Sequence, residues 1–170
     1  MKKLFFMAAL MLVAAFSLTS CGDDEPKEKT TVTATYNMTF SQDLLDACGL
    51  VLITYKAANG ENKMEAITST TWTKTVTSDK FPAEFGVMYK FSPKSESELT
   101  KEKYDLACNL SFQCKTNKGA SANNSETIFN STGVNKDKVK GMLDKYSGNS
   151  TGFKVNADGY VSQANNLKYE

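Results

Sequence analysis

Histidine and arginine are both missing from this chain of 170 residues, in which all 20 basic residues are lysine. Without histidine, the chain lacks the usual general base at neutral pH, the common nucleophile–base pairs and the commonest metal ligand. Without arginine, it lacks the planar group that binds phosphate through two parallel hydrogen bonds. The 19 acidic residues leave a formal net charge of +1, which gives no field to attract nucleic acid. We therefore expect a protein that is not an enzyme, uses no cofactor or metal and binds no nucleic acid.

The first 20 residues have the pattern of a signal peptide. Lys2 and Lys3 precede an uncharged, almost wholly apolar run from Leu4 to Phe16. As a helix this run would span about 20 Å, whereas the hydrocarbon layer of a membrane is about 30 Å thick. The run therefore predicts a secretory leader and not a permanent membrane span.

The four residues that follow are Leu18-Thr19-Ser20-Cys21, which resemble the bacterial lipobox. The resemblance implies that the leader is cut before Cys21 and that the Cys21 thiol carries a lipid. Two or more acyl chains suffice for stable attachment to a membrane. Ordinary secretory cleavage after the same small residues is the alternative.

An acidic cluster comes directly after the predicted lipid site. Asp23, Asp24 and Glu25 resemble the export signal that sends lipoproteins of Bacteroides-type bacteria to the outer face of the outer membrane. The resemblance implies a protein that faces the cell exterior, and a location facing the periplasm is the alternative. Residues 22–31 lack large apolar side chains, so residues 21–31 predict a lipidated cysteine and a disordered linker.

Residues 32–170 predict a single β-rich domain. Alternating apolar and polar residues, short β-branched runs and turn signals at Asn59-Gly60 and Asp158-Gly159 mark the strands. The predicted strands are residues 32–41, 50–55, 63–68, 70–77, 85–91, 104–114, 153–155 and 160–162. Strands joined by short turns pair in antiparallel fashion, so we expect a two-sheet sandwich, immunoglobulin-like or similar, with a small β-barrel as the alternative.

One helix is predicted near residues 136–147. Its apolar side chains recur at helical spacing, at Val139, Met142, Leu143 and Tyr146. Asn135 is placed to cap the first turn, and Gly148 is placed to end the helix.

Two stretches in the first half of this domain, residues 39–45 and 68–76, are also similar to small surface lipoproteins of gut Bacteroides. They are Thr39-Phe40-Ser41-Gln42-Asp43-Leu44-Leu45 and Thr68-Ser69-Thr70-Thr71-Trp72-Thr73-Lys74-Thr75-Val76. The resemblance implies a short, mostly-β domain behind a lipobox, and it implies no catalytic residues.

The three cysteines of the domain predict buried thiols more strongly than a disulfide. Cys108 and Cys114 share one face of a predicted strand about 20 Å apart, which is too far for a bond between them. Cys48 could reach one of them and leave the other free, but unpaired cysteine is among the most buried residue types. The spacing of the cysteines does not indicate a zinc site.

Asp43 and Asp46 are the best carboxylate pair for a hydrolase, which is the weakest of three functional hypotheses. Acid–base cleavage of a glycoside would need one of the two to have a raised pKa. We expect instead that Asp43 caps a short helical turn whose Leu44 and Leu45 enter the core.

Four other residues are candidates for ligand binding. Trp72 is the single tryptophan and would stack on a sugar if it faced solvent, although a core position is the stronger expectation. Asn117, Asn123 and Asn124 lie in a polar segment, 116–132, that predicts a long recognition loop. The leading hypothesis is a surface-anchored module that binds a glycan, a host protein or an outer-membrane partner. The alternative is a structural subunit that pairs through an exposed strand edge.

Overall fold

The computed structural model describes residues 29–164 and 167–169 of the chain. Their strands are β1 (Val32–Phe40), β2 (Cys48–Lys56), β3 (Asn62–Ala66), β4 (Thr71–Ser78), β5 (Ala83–Pro93), β6 (Lys103–Thr116), β7 (Ser121–Asn135), β8 (Ser150–Val155) and β9 (Val161–Gln163). Two helices, α1 (Gln42–Ala47) and α2 (Lys136–Tyr146), and a 3₁₀ turn at Glu96–Glu98 complete the fold. Cys21, Asp23, Asp24 and Glu25 lie outside the described residues, so the lipid site and the export signal stay predictions.

The strands form two antiparallel sheets. Sheet A has the order β4–β1–β6–β7, and sheet B has the order β3–β2–β5–β8–β9. Over the described residues the two sheets do not join into a closed barrel. The predicted two-sheet sandwich is therefore confirmed, and the β-barrel alternative is wrong.

The core lies between the sheets and follows from the alternation along each strand. In β6, every second side chain from Tyr104 to Cys114 is buried, and in β1 the same is true from Val32 to Phe40. Phe112 of sheet A stacks on Phe153 of sheet B, with ring centroids 4.5 Å apart and planes inclined by 7°. Each large apolar side chain buried in this way contributes about 1.5–3 kcal/mol to folding.

Helix α1 closes one end of the sandwich. Its N-cap is Ser41, whose Oγ accepts hydrogen bonds from the backbone N–H groups of Leu44 (3.2 Å) and Ala107 (3.0 Å). The expectation that Asp43 caps this helix is wrong, because Asp43 already lies within the first turn. Leu44 is fully buried and Leu45 packs against the core, as the sequence predicts.

Helix α2 is confirmed at Lys136–Tyr146. Asn135 occupies the N-cap position but its side chain makes no capping hydrogen bond, and Val139 and Leu143 are fully buried. The chain then reverses at Gly148, whose φ of 85° is the left-handed conformation that glycine adopts most readily. No helix of the described residues is long and apolar enough to cross a membrane.

Both predicted glycine hairpins are present. Gly60 has a φ of 83° in the loop between β2 and β3, and its N–H donates to the carbonyl of Ala57 (2.9 Å). Gly159 has a φ of 85° between β8 and β9, and its N–H donates to the carbonyl of Asn156 (2.9 Å). These turns fix the pairing of β2 with β3 and of β8 with β9.

The predicted recognition loop at 116–132 is wrong. The chain turns at residues 117–120 and then forms β7, a strand of 15 residues that pairs with β6 along its length. The sequence does not reveal this strand because it is an edge strand with one exposed face. Asn124, Glu126 and Ser131 interrupt the apolar positions of its inner face, and its ladder bonds come from backbone groups that every sequence carries.

Tyr36 connects the two sheets through a buried hydroxyl group. Its Oη accepts a hydrogen bond from the backbone N–H of Gly86 (3.0 Å) and donates one to the carbonyl of Lys56 (3.3 Å). These two backbone groups lie just beyond Tyr55 and Val87, the last residues at which β2 and β5 pair with each other. Burial raises the pKa of the Tyr36 hydroxyl well above its ordinary value, so it remains protonated and keeps its proton for this bond.

The C-terminal residues pack over two glycines of sheet B. A Cβ atom on Gly152 would lie 2.3 Å from Cδ1 of Leu167, and a Cβ atom on Gly86 would lie 2.3 Å from the hydroxyl of Tyr169. Tyr169 also donates a hydrogen bond to the carbonyl of Thr151 (3.3 Å). The paired glycines thus open the space in which residues 167–169 lie.

Candidate functional site

The outward side of sheet A carries a regular array of polar side chains. The pairing registers place four such side chains in each of four rows across β4, β1, β6 and β7. The rows are Thr77-Thr33-Lys115-Ser121, Thr75-Thr35-Gln113-Asn123, Thr73-Asn37-Ser111-Ser125 and Thr71-Thr39-Asn109-Thr127. We call these sixteen positions the polar array.

The dimensions of the polar array follow from strand geometry. Alternate residues on one strand are about 6.7 Å apart, and neighbouring strands are about 4.8 Å apart. Four rows of four therefore cover about 20 Å by 15 Å. Hydroxyl and amide groups thus repeat at nearly constant spacing in two directions.

Hydrogen bonds inside the array fix some of its side chains. The hydroxyls of Thr33 and Thr77 are 2.9 Å apart, and Thr73 Oγ1 donates to Asn37 Oδ1 over 3.3 Å. Asn109 donates to Thr39 over 3.2 Å. Because each hydroxyl or amide has more than one donor or acceptor site, these groups keep capacity for a ligand.

Charge is almost excluded from the array. Lys115 is the one charged residue among the sixteen positions, and it lies in an end row. The protein as a whole has 20 lysines and 19 acidic residues, so the array differs sharply from the average surface. Threonine occupies eight of the positions, which suits both an exposed strand face and hydrogen bonding.

Trp72 is buried and cannot act as a sugar-stacking platform. Its indole N–H donates to Glu65 Oε2 (2.8 Å), and the other oxygen of Glu65 accepts from Tyr55 (3.0 Å) and Lys74 (2.6 Å). The hydrogen bond from Lys74, followed by that from Trp72, lowers the pKa of the Glu65 carboxyl. Trp72 on β4 therefore links the edges of the two sheets through Glu65 on β3, and its burial does not support the predicted role in ligand binding.

Asn117 has a structural role at the base of the domain. Its side chain donates to the carbonyl of Lys29 (3.0 Å) and accepts from the N–H of Thr31 (3.0 Å). Its own N–H donates to the carbonyl of Thr31 (3.1 Å). Asn117 thus fixes Lys29 and Thr31, which the sequence assigned to the disordered linker, in the segment that enters β1.

Asn123 and Asn124 lie on β7 and not in a loop. Asn123 is exposed within the polar array, opposite Gln113. Asn124 pairs with Phe112 and points to the inner side, where it is half-buried. Of the four predicted ligand-binding residues, only Asn123 belongs to the array.

Asp43 and Asp46 share one lysine. Lys101 Nζ lies 2.5 Å from Asp43 and 3.7 Å from Asp46, and Asp43 also accepts from the N–H of Asp105 (2.8 Å). These hydrogen bonds, that of Lys101 first, lower the pKa of the Asp43 carboxyl. A general acid needs the opposite shift, so the environment of Asp43 does not support the hydrolase hypothesis.

Cys48, Cys108 and Cys114 are buried and free, so a disulfide between Cys48 and either strand cysteine is not formed. Burial raises the thiol pKa to about 11 for Cys48, about 12 for Cys108 and about 11 for Cys114. Because the thiolate is the reactive form, these three buried thiols are unreactive and serve as core residues.

Comparison of the chain with protein-family models and with curated proteins gave no match.

Proposed function

We propose that this protein is a lipid-anchored, non-catalytic binding module of a bacterial cell surface, and that its polar array binds an uncharged polysaccharide. The observation that carries the proposal is the array itself: fifteen uncharged hydroxyl and amide side chains with one lysine at the margin. A polysaccharide offers repeated hydroxyl groups, each of which both donates and accepts hydrogen bonds. The array offers the complementary groups at regular spacing.

The absence of charge selects among ligand classes. Nucleic acids and acidic glycans need several cationic contacts, and the array supplies only Lys115. Binding a neutral ligand requires no removal of water from an ion, which would cost more than the removal of water from a hydroxyl. A neutral polysaccharide therefore matches the array better than an anionic one.

Composition also distinguishes a glycan from a protein partner. The cores of protein–protein interfaces are enriched in aromatic residues, methionine and arginine. None of the sixteen array positions carries such a residue. Among the described residues, Tyr160 is the one aromatic side chain that is highly exposed (64%), and it lies in the β8–β9 turn outside the array. Recognition at the array would therefore depend on hydrogen bonds and not on ring stacking.

The predicted anchor gives the array an orientation. Asn117 holds Lys29 and Thr31 beside the end row that contains Thr33 and Lys115. From Cys21 to Lys29 the chain can span at most about 29 Å. In an unpaired copy, the Lys115 end of the array would then lie nearer the membrane than the Thr71 end.

Ser111→Glu tests the binding surface. A carboxylate in the middle of the array would be left without a partner beside a neutral glycan, and we expect binding to weaken at least about tenfold, equivalent to about 1.4 kcal/mol. The measurement is retention of intact cells displaying the full chain on immobilised dextran, mannan, xylan and β-1,3-glucan.

Ser92→Glu is the matched control, because Ser92 is an exposed strand serine of sheet B. We expect this variant to bind as the wild type does. Equal loss in both variants, or no binding of the wild type to any of the neutral polysaccharides, would show that the array is not a glycan site.

Cys21→Ala tests the anchor. Without the thiol no lipid can be attached, so the protein should move from the membrane fraction to the soluble fraction. Fractionation and mass spectrometry of the N-terminal peptide measure this change, with Cys48→Ala as a control that should stay in the membrane. A Cys21→Ala protein that still requires detergent for extraction would contradict lipidation.

A further inference from the structure

Three of the four sheet edges carry features that discourage pairing with another chain. Strand β9 has only three residues, and β3 has five, of which Lys63 and Glu65 are charged. The middle of β4 carries Lys74, which is held 2.6 Å from Glu65 of the opposite sheet. Short edges and charged side chains are the usual protection against edge-to-edge association.

The fourth edge, β7, is long and nearly uncharged. It has 15 residues without lysine or proline, and Glu126 is its single charged residue. Over residues 121–132, the described backbone groups make no hydrogen bond outside the ladder with β6. Towards its end, Ile128 and Phe129 are buried beside a register shift, and the Phe129 ring contacts Tyr146 of α2. We call Ser121–Thr127 the open edge, because its backbone groups make no hydrogen bond outside the ladder with β6 and it ends before the register shift.

We propose that this open edge pairs with the same edge of a second copy of the chain, antiparallel about a two-fold axis at Asn124. Asn124 is the middle residue of Ser121–Thr127, so this register gives the longest overlap between the turn at 117–120 and the register shift at 128. Asn123 then lies opposite Ser125 of the second copy, and Glu126 lies opposite Ala122. No charged side chain meets a like charge.

The pairing extends the polar array. Two copies of sheet A would form one sheet of eight strands, and the outward residues of β7 would join the two arrays edge to edge. Pairing by hydrogen bonds along a strand is the same mode by which an extended peptide adds to an exposed sheet edge. If Cys21 is lipidated, attachment of both copies to one membrane raises their effective concentration and favours the pair. Because the two copies run in opposite directions, the strands of the pair would then lie along the membrane.

Cross-linking through Asn124→Cys tests the proposal on the full chain in cells. Residues directly opposite in an antiparallel pair have Cβ atoms about 5 Å apart, so a short bis-maleimide should join the two copies. We expect a band of twice the monomer mass for Asn124→Cys on a denaturing gel. Co-expression of Asn123→Cys with Ser125→Cys should give the same band, since these two residues would face each other.

Wild type and Thr73→Cys are the controls. The three buried native thiols should not react, and Thr73 lies at the β4 edge, which we expect to stay unpaired. Adding Asn123→Lys and Ser125→Lys to Asn124→Cys places like charges opposite each other and should abolish the dimer band, with folding checked by circular dichroism. A dimer band of equal strength in Thr73→Cys, or none for any cysteine between 122 and 126, would overturn the proposal. Neither result would depend on whether the array binds a glycan.

Discussion

Gly152→Ala is expected to lower the free energy of unfolding by about 3 kcal/mol, the upper range for overpacking of a well-packed site. The new methyl group would lie 2.6 Å from the carbonyl oxygen of Phe85 and 3.2 Å from Cα of Gly86, both backbone atoms of the neighbouring strand. Leu167 could move away from the methyl group, but the strand cannot move without disturbing its ladder with β8. Urea unfolding followed by circular dichroism measures the change.

Gly141→Ala is the matched control for this substitution. Gly141 lies inside α2, where an added Cβ atom meets no atom within 4 Å. The same chemical change should therefore stabilise the protein by about 1 kcal/mol, because alanine favours a helix more than glycine does. Removing residues 167–170 from the Gly152→Ala protein should recover only part of the loss. Full recovery would show that the C-terminal contact, and not the strand backbone, causes the clash.

Tyr36→Phe is expected to cost about 2–3 kcal/mol, although it removes a single oxygen atom. The change leaves the N–H of Gly86 and the carbonyl of Lys56 without their partner inside the protein, and a buried polar group without a partner costs about 1–3 kcal/mol. The midpoint of urea unfolding should fall while its slope stays the same, as for a pure loss of stability.

Tyr160→Phe provides the comparison for Tyr36→Phe, because Tyr160 is exposed and its hydroxyl reaches water. We expect a change of less than about 0.5 kcal/mol, the usual limit for surface substitutions. If Tyr36→Phe behaved like Tyr160→Phe, the hydroxyl bridge between the sheets would have no energetic role.

The sequence predicts an element correctly where burial imposes a regular spacing on its apolar residues. The alternation in β1 and β6 and the helical spacing in α2 arise because one face of each element is in the core, and the structure confirms all three. Ser41 rather than Asp43 caps α1, so the predicted N-cap lies two residues too late. The sequence of a short helix specifies its first residue poorly.

The differences between the expected and observed positions of the candidate binding residues have another cause. Whether Trp72 faces the core or solvent depends on which side of β4 meets sheet B, and threonines on both sides of Trp72 leave that open in the sequence. Asn117 and Asn123 belong to the same polar stretch, yet one holds the entering chain and the other lies on the array. Their local sequence does not separate these roles because both depend on partners far along the chain.

The sequence by itself determined the strands with a buried face, the helix α2 and the two glycine turns, since each depends on residues within a short window. The lipid site at Cys21 stays a prediction from the sequence. Only the tertiary structure decided that β7 is a strand, that Trp72 is buried and that polar residues from four strands form one uncharged surface. Those features follow from pairing between residues as far apart as Thr33 and Lys115, and an exposed polar residue gives no local signal of its neighbour on the next strand.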